Sequence, residues 1–197
     1  DISSNDLGSA FTEASRNGHL PIVEFILDNF TNITDRDAYY ALKYASENGH
    51  DRVVEHILNR RTDIVSCEVG TVLIRASIMG HSSVVEIILT KRTDVGTKTV
   101  RKALKDAILR GHLPVVSKIL NNRTEVVSED VRAALLDETD ELKSPIVEFI
   151  LSDNYHDYFT AEHYAGTALI GASWKGNSHI VEYILKKIPN FVNKKSA

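Results

Sequence analysis

The sequence predicts an all-α solenoid of about six helix-turn-helix units joined by short connectors, and three repeating features predict it. The first is the dipeptide Gly-His, found at Gly18-His19, Gly49-His50, Gly80-His81 and Gly111-His112, 31 residues apart each time. The second is an apolar block two residues beyond each pair, with the i, i+1, i+4, i+5 spacing of a helix face: Ile22-Val23 with Ile26-Leu27, Val53-Val54 with Ile57-Leu58, Val84-Val85 with Ile88-Leu89, and Val115-Val116 with Ile119-Leu120. It recurs as Ile146-Val147 with Ile150-Leu151 after another 31 residues, and as Ile180-Val181 with Ile184-Leu185 after 34. The third is a set of small or apolar residues before each glycine, such as Ala41-Leu42 with Ala45 and Ala103-Leu104 with Ala107. Small residues there let helices approach closely.

Each unit therefore reads as a first helix, a glycine turn, a second helix and a polar connector. The expected units are roughly 5–34, 35–65, 66–96, 97–127, 128–158 and 159–190, with a basic tail at 191–197, all in one domain over 1–197. Pro21, Pro114 and Pro145 share one repeat position in the first turn of the second helix, where a missing N–H costs nothing. Pro189 marks the stop of the last helix. Unit five departs most, with Leu142-Lys143 at the Gly-His position after the acidic run Asp137-Glu138-Thr139-Asp140-Glu141, so its turn is expected to be irregular. A two-helix unit cannot bury its apolar face alone, and neighbouring units must stack into a continuous core.

Composition excludes several classes. Lys+Arg number 23 against 27 Asp+Glu, and 43% of residues are hydrophobic, enough for a core and too apolar for a disordered polyampholyte. Every apolar run is broken by charge well short of the ~20 residues that a membrane helix needs. The chain begins at Asp1, which is compatible with a fragment or a processed form. Cys67 is the single cysteine, expected as a buried apolar filler in a reducing compartment. No cysteine and histidine pair has zinc-ligand spacing, and the histidines in register stand about 10 Å apart per unit, too far for the ~2 Å ligand distance of one ion. There is no glycine-rich phosphate loop, Gly-x-Ser-x-Gly elbow or His-Glu-x-x-His pair, so no catalytic residue, metal or cofactor is expected.

The stretch Thr71-Val-Leu-Ile-Arg-Ala-Ser-Ile-Met-Gly-His81 with Val84-Val85 and Ile88-Leu89 resembles an ankyrin repeat, whose pattern is T-P-L-H-x-A-A-x-x-G-H-x-x-V-V-x-x-L-L. Thr167-Ala-Leu-Ile-Gly-Ala-Ser-Trp-Lys-Gly176 repeats it, and the resemblance runs from about Asn5 to about Pro189. It implies that the histidine after each glycine is structural, bonded to backbone at the turn. The chain departs from the family in lacking a full T-P-L-H and in stepping by 31 residues rather than about 33. It also has Arg61-Thr-Asp-Ile64, Arg92-Thr-Asp-Val95 and Arg123-Thr-Glu-Val126 where the family has Gly-Ala-Asp-Val. A non-glycine residue in a left-handed cap costs about 1–2 kcal/mol, so the cap there is expected either to differ or to be strained.

The resemblance further implies a non-enzymatic module that binds a protein or peptide through the concave groove of the first helices. The alternative is a targeting domain of a larger enzyme or effector whose catalytic part lies outside the chain. The two residues before each glycine are the family's variable binding positions, which here include Glu47, Ile78-Met79, Leu109-Arg110, Asp140-Glu141 and Trp174-Lys175. With Tyr40, Tyr44 and Ile74 these form the expected partner-binding set, an apolar patch over units three, four and six with a polar rim. The expected partner places an aliphatic or aromatic anchor over units three and four and a basic residue near unit five. Ile74, Ile78 and Ile108 read equally well as packing between first helices, and Trp174 as capping the core. Arg60, Arg61, Lys91, Arg92 and Arg123 could track phosphates, but Asp63, Asp94 and Glu125 follow two residues after an arginine, so a self-paired ladder and no nucleic acid are expected. A cytoplasmic monomer is expected, in a host cytosol if the chain belongs to an effector.

Overall fold

The computed structural model describes residues 3–123, 144–150 and 161–187. Four helix pairs fill 3–123: α1 (Ser4–Arg16) with α2 (Leu20–Asn29), α3 (Asp35–Glu47) with α4 (Asp51–Arg60), α5 (Ser66–Met79) with α6 (Ser82–Lys91), and α7 (Thr97–Leu109) with α8 (Leu113–Asn122). Then come α9 (Ser144–Ile150) and the pair α10 (Ala161–Lys175) and α11 (Ser178–Lys187). No strand occurs among the described residues. The acidic run with Asp140 and Glu141, the Leu142-Lys143 turn and the basic tail lie outside them.

The helices form two layers. α1, α3, α5 and α7 pack side by side as one, and α2, α4, α6 and α8 as the other, with α9 between α8 and α11. Side chains at fixed repeat positions fill the space between them. Ala41, Val72 and Ala103 are buried on the first helices, and Val53, Val84 and Val115 on the second. Burial at the latter position requires a preceding unit: Ile22 holds it in the first unit and is 48% exposed.

Each turn is closed in the same way. Gly18, Gly49, Gly80, Gly111 and Gly176 have φ between 71° and 82°, where a side chain would be strained. The N–H of the next residue donates to an alanine carbonyl five residues back, as from His81 to Ala76 at 3.0 Å and from Asn177 to Ala172 at 2.9 Å. This is the 6→1 bond of a Schellman-type helix end. Pro21 and Pro114 occupy the first turns of α2 and α8, and Pro145 is the second residue of α9. Capping boxes of Ser3 with Asp6 and Thr34 with Asp37 start α1 and α3.

The arginine connectors resolve the expected conflict. Arg61, Arg92 and Arg123 have φ of −119°, −125° and −139°, so these second helices end without a left-handed residue and without that strain. Each arginine also reaches the preceding connector. Arg61 Nη1 donates to the Ile33 carbonyl at 3.1 Å, Arg92 Nη2 to that of Ile64 at 2.8 Å, and Arg123 Nη2 to that of Val95. Ile33, Ile64 and Val95 are themselves buried. The self-paired ladder is present as well: Arg61 binds both oxygens of Asp63, and Arg92 both oxygens of Asp94. In unit one the same position is Phe30, which meets Phe25 edge-on at 6.2 Å.

One expectation needs correction and one alternative is decided. Cys67 is exposed, because it lies in the first turn of α5, outside the interface between neighbouring first helices. Of the two readings of Ile108, packing between first helices holds: it is fully buried, and its repeat position is also that of Ser15, Ser46 and Ser77, all buried.

Candidate functional site

The outward face of the first-helix layer is built from positions one, two, five, six and nine before each glycine. On α3 these place Tyr40, Lys43, Tyr44 and Glu47 on one face at i, i+3, i+4, i+7. The rings of Tyr40 and Tyr44 stack with centroids 6.1 Å apart. Arg16 comes from α1 to lie 3.8 Å over the Tyr44 ring, and Lys43 Nζ lies 5.2 Å from it. From α5, Arg75 pairs with Glu47 at 3.6 Å. An open depression of about 660 Å³ results, lined by Arg16, Lys43, Tyr44, Glu47, Arg75 and Met79 among others. A shallower one of about 370 Å³ adjoins it over Thr12, Tyr40 and Tyr44.

The remaining anticipated residues divide by burial. Met79 is 54% exposed and Trp174 84%, so Trp174 does not cap the core. Ile74, Ile78 and Leu109 are half-buried, with Ile74 packed against the core. Arg110 is exposed and Lys175 half-buried. The structure thus groups Tyr44, Glu47 and Met79 around one depression and Tyr40 with Tyr44 in the adjoining one, with Ile78 half-buried one residue before Met79. Trp174 stands on a different helix beside Ile170, which is 69% exposed one turn earlier. Sequence reasoning missed Arg75 and Ile170 as well as a basic row on α7, where Lys98, Arg101, Lys102 and Lys105 line a depression of about 470 Å³. Counting back from each glycine would have found Arg75, Lys102, Lys105 and Ile170, because Lys105 and Ile170 stand six residues before a glycine, as do Lys43 and Ile74.

Three of the histidines after the glycines, His50, His81 and His112, are structural. His50 Nε2 lies 2.9 Å from the Arg16 carbonyl, His81 Nε2 2.9 Å from that of Glu47, and His112 Nε2 2.9 Å from that of Ile78. A carbonyl only accepts, so each Nε2 carries the proton. These bonds anchor the residues two before each glycine, the positions that border the depression. No cluster of three or more His, Cys, Asp or Glu side chains among the described residues could hold a metal ion. No described helix is long and apolar enough to cross a membrane.

This register of glycine, histidine and apolar blocks coincides with a known family. Residues 44–130 match the family model for ankyrin repeats, in three copies. Residues 44–130 are ankyrin repeats. Neither the curated proteins nor the solved structures gave a match to it. Ankyrin repeats serve generally as protein–protein interaction modules and are typically non-catalytic. In these repeats the short connectors carry arginine latches in place of glycine caps.

Proposed function

We propose that the chain is a non-enzymatic interaction module that binds a protein or peptide along the groove face of its first helices, with Tyr44, Glu47, Ile78, Met79, Leu109 and Arg110 at the centre and Trp174 at one end. The depression of about 660 Å³ beneath Tyr44 and Met79 carries this reading. Met79 is an exposed, adaptable apolar side chain, and tyrosine and arginine supply rigid contact area, the residue types enriched at interface centres. Histidine bonds hold the bordering backbone, so a partner would meet a preorganised surface.

The test is capture of binding proteins from a native lysate with the intact chain and with a Tyr44→Ala, Met79→Glu double variant, after circular dichroism has shown equal helicity. The expected result is a partner held by the first and lost by the second. A variant of the opposite layer, Glu55→Ala, should retain it. A partner bound equally by both groove-face forms would overturn the assignment.

A further inference from the structure

The distribution of charge over the two layers deepens that reading. The whole chain carries a net charge of −4. In the second-helix layer three cations are paired across units, Arg60 with Asp28, Lys91 with Glu55 at 3.1 Å and Lys118 with Glu86 at 2.7 Å, while Arg52 enters no ion pair among the described residues. The first-helix layer differs. α7 carries four basic residues, Lys98, Arg101, Lys102 and Lys105, against the single acid Asp106. Lys98, Lys102 and Lys105 follow one another at i, i+4 and i+7 on one exposed face, and none of them enters an ion pair among the described residues.

By repeat register Lys102 stands where α3 has Tyr40, and Lys105 where α5 has Ile74, so this row shares its face with the depression. Between them runs the apolar strip of Ile74, Ile78 and Met79. On its far side stand Arg75, Lys43 and Arg16. Among the described residues Lys43 is engaged only by tyrosine rings, and Arg16 and Arg75 have single acidic partners at 3.4 and 3.6 Å. An apolar strip is thus bordered on both sides by cations, and Lys98, Lys102 and Lys105 on α7 have no acidic partner among the described residues. Unpaired charge of one sign steers an opposite charge to this face and rejects a like one.

Resting on the interaction-module reading above, we propose that the partner is an acidic extended segment: its Asp or Glu residues lie over Lys98, Lys102 and Lys105 and over Arg75 and Lys43, and an apolar side chain between them sits on Ile78 and Met79. The layer advances about 10 Å per unit, so the face from α1 to α7 takes about nine residues of extended chain at ~3.3 Å each. A peptide fits better than a nucleic acid. The apolar strip offers nothing to a phosphate backbone, and the aromatic faces that would stack on bases are taken, since Tyr40 and Tyr44 stack on each other and Arg16 covers Tyr44.

Fluorescence anisotropy with the full chain tests this. The probes are labelled peptides with a central Leu-Phe pair flanked by Glu, by Gln or by Lys, and a single-stranded oligonucleotide of similar length. The Glu-flanked peptide should bind about tenfold tighter than the Gln-flanked one, weaken as salt rises, and lose that advantage with the Lys102→Glu, Lys105→Glu variant at unchanged helicity. The milder Lys102→Gln, Lys105→Gln pair should show a smaller loss in the same direction. Equal affinity for the Glu and Gln peptides, no detectable binding of the Glu peptide, or indifference to charge reversal would overturn the acidic preference. So would tighter binding of the oligonucleotide. If Met79→Glu abolishes binding of the Leu-Phe peptides while charge reversal does not, the groove stands and only the acidic preference falls. If binding survives both Met79→Glu and Tyr44→Ala, the groove reading itself falls.

Discussion

The ring of His81 reaches from one unit into the one before it, its Nε2 lying 2.9 Å from the carbonyl of Glu47. His50 and His112 repeat the contact, whereas His19 opens the first unit of the stack and is exposed. His81→Ala should therefore lose about 1–2 kcal/mol of stability, the cost of leaving a half-buried carbonyl without its donor. His19→Ala should stay within about 0.5 kcal/mol of the parent. Urea unfolding of both variants checks this, and equal losses would show that the histidine acts within its own unit instead.

The same rings explain why the turn needs glycine twice over. A Cβ on Gly49 would lie 2.7 Å from His81 Nδ1, whereas one on Gly111 would meet nothing within 4 Å among the described residues. Both have φ of 75°. Gly111→Ala should cost the left-handed strain alone, about 1–2 kcal/mol. Gly49→Ala should cost clearly more, because the imidazole must move and give up its bond. The difference between the two unfolding free energies is the quantity to measure.

Acid should weaken the stack through its connectors. Hydrogen bonding to Arg92 holds the Asp94 carboxyl down to about 2 from an ordinary 3.8, and Arg61 does the same for Asp63. A carboxyl with a depressed folded value stabilises fully above its unfolded value and loses that contribution as pH falls through the folded one. Stability should thus be level with respect to these groups above about pH 5 and fall between about pH 4 and pH 2. Replacing Arg92 by Met should flatten part of that fall. Arg92→Lys should also weaken the protein near neutrality, since an ammonium cannot span two carboxylate oxygens and the Ile64 carbonyl together.

Cys67 should react as an accessible thiol. It is exposed in the first turn of α5, so one equivalent of Ellman's reagent should be consumed under native conditions without prior unfolding. Reaction only in denaturant would place the side chain inside. A label at Cys67 would also report on binding, because it stands at the repeat position of Lys98 on the same face.

The local features were legible because their causes are local. A positive φ needs glycine at Gly18 or Gly80, a first helical turn accepts Pro21 or Pro114, and a buried helix face repeats Val53-Val54 with Ile57-Leu58; each requirement is written in adjacent residues. Register also decides between the two readings of Ile108. Ile108 aligns with Ser15, Ser46 and Ser77 rather than with Ile78, and all four are buried.

By itself the sequence determined the all-α class, the stacked units, the glycine turns and the apolar core, since period and backbone geometry are set within a few residues. Tertiary structure alone decided where Arg61, Arg92 and the histidines send their donors, which of Met79, Ile74 and Trp174 stay open, and that Arg16, Tyr44 and Arg75 from three helices share one depression. Those contacts join residues about one repeat apart in the chain. Their partners are chosen by the spacing and tilt of stacked units, which no short stretch of sequence specifies.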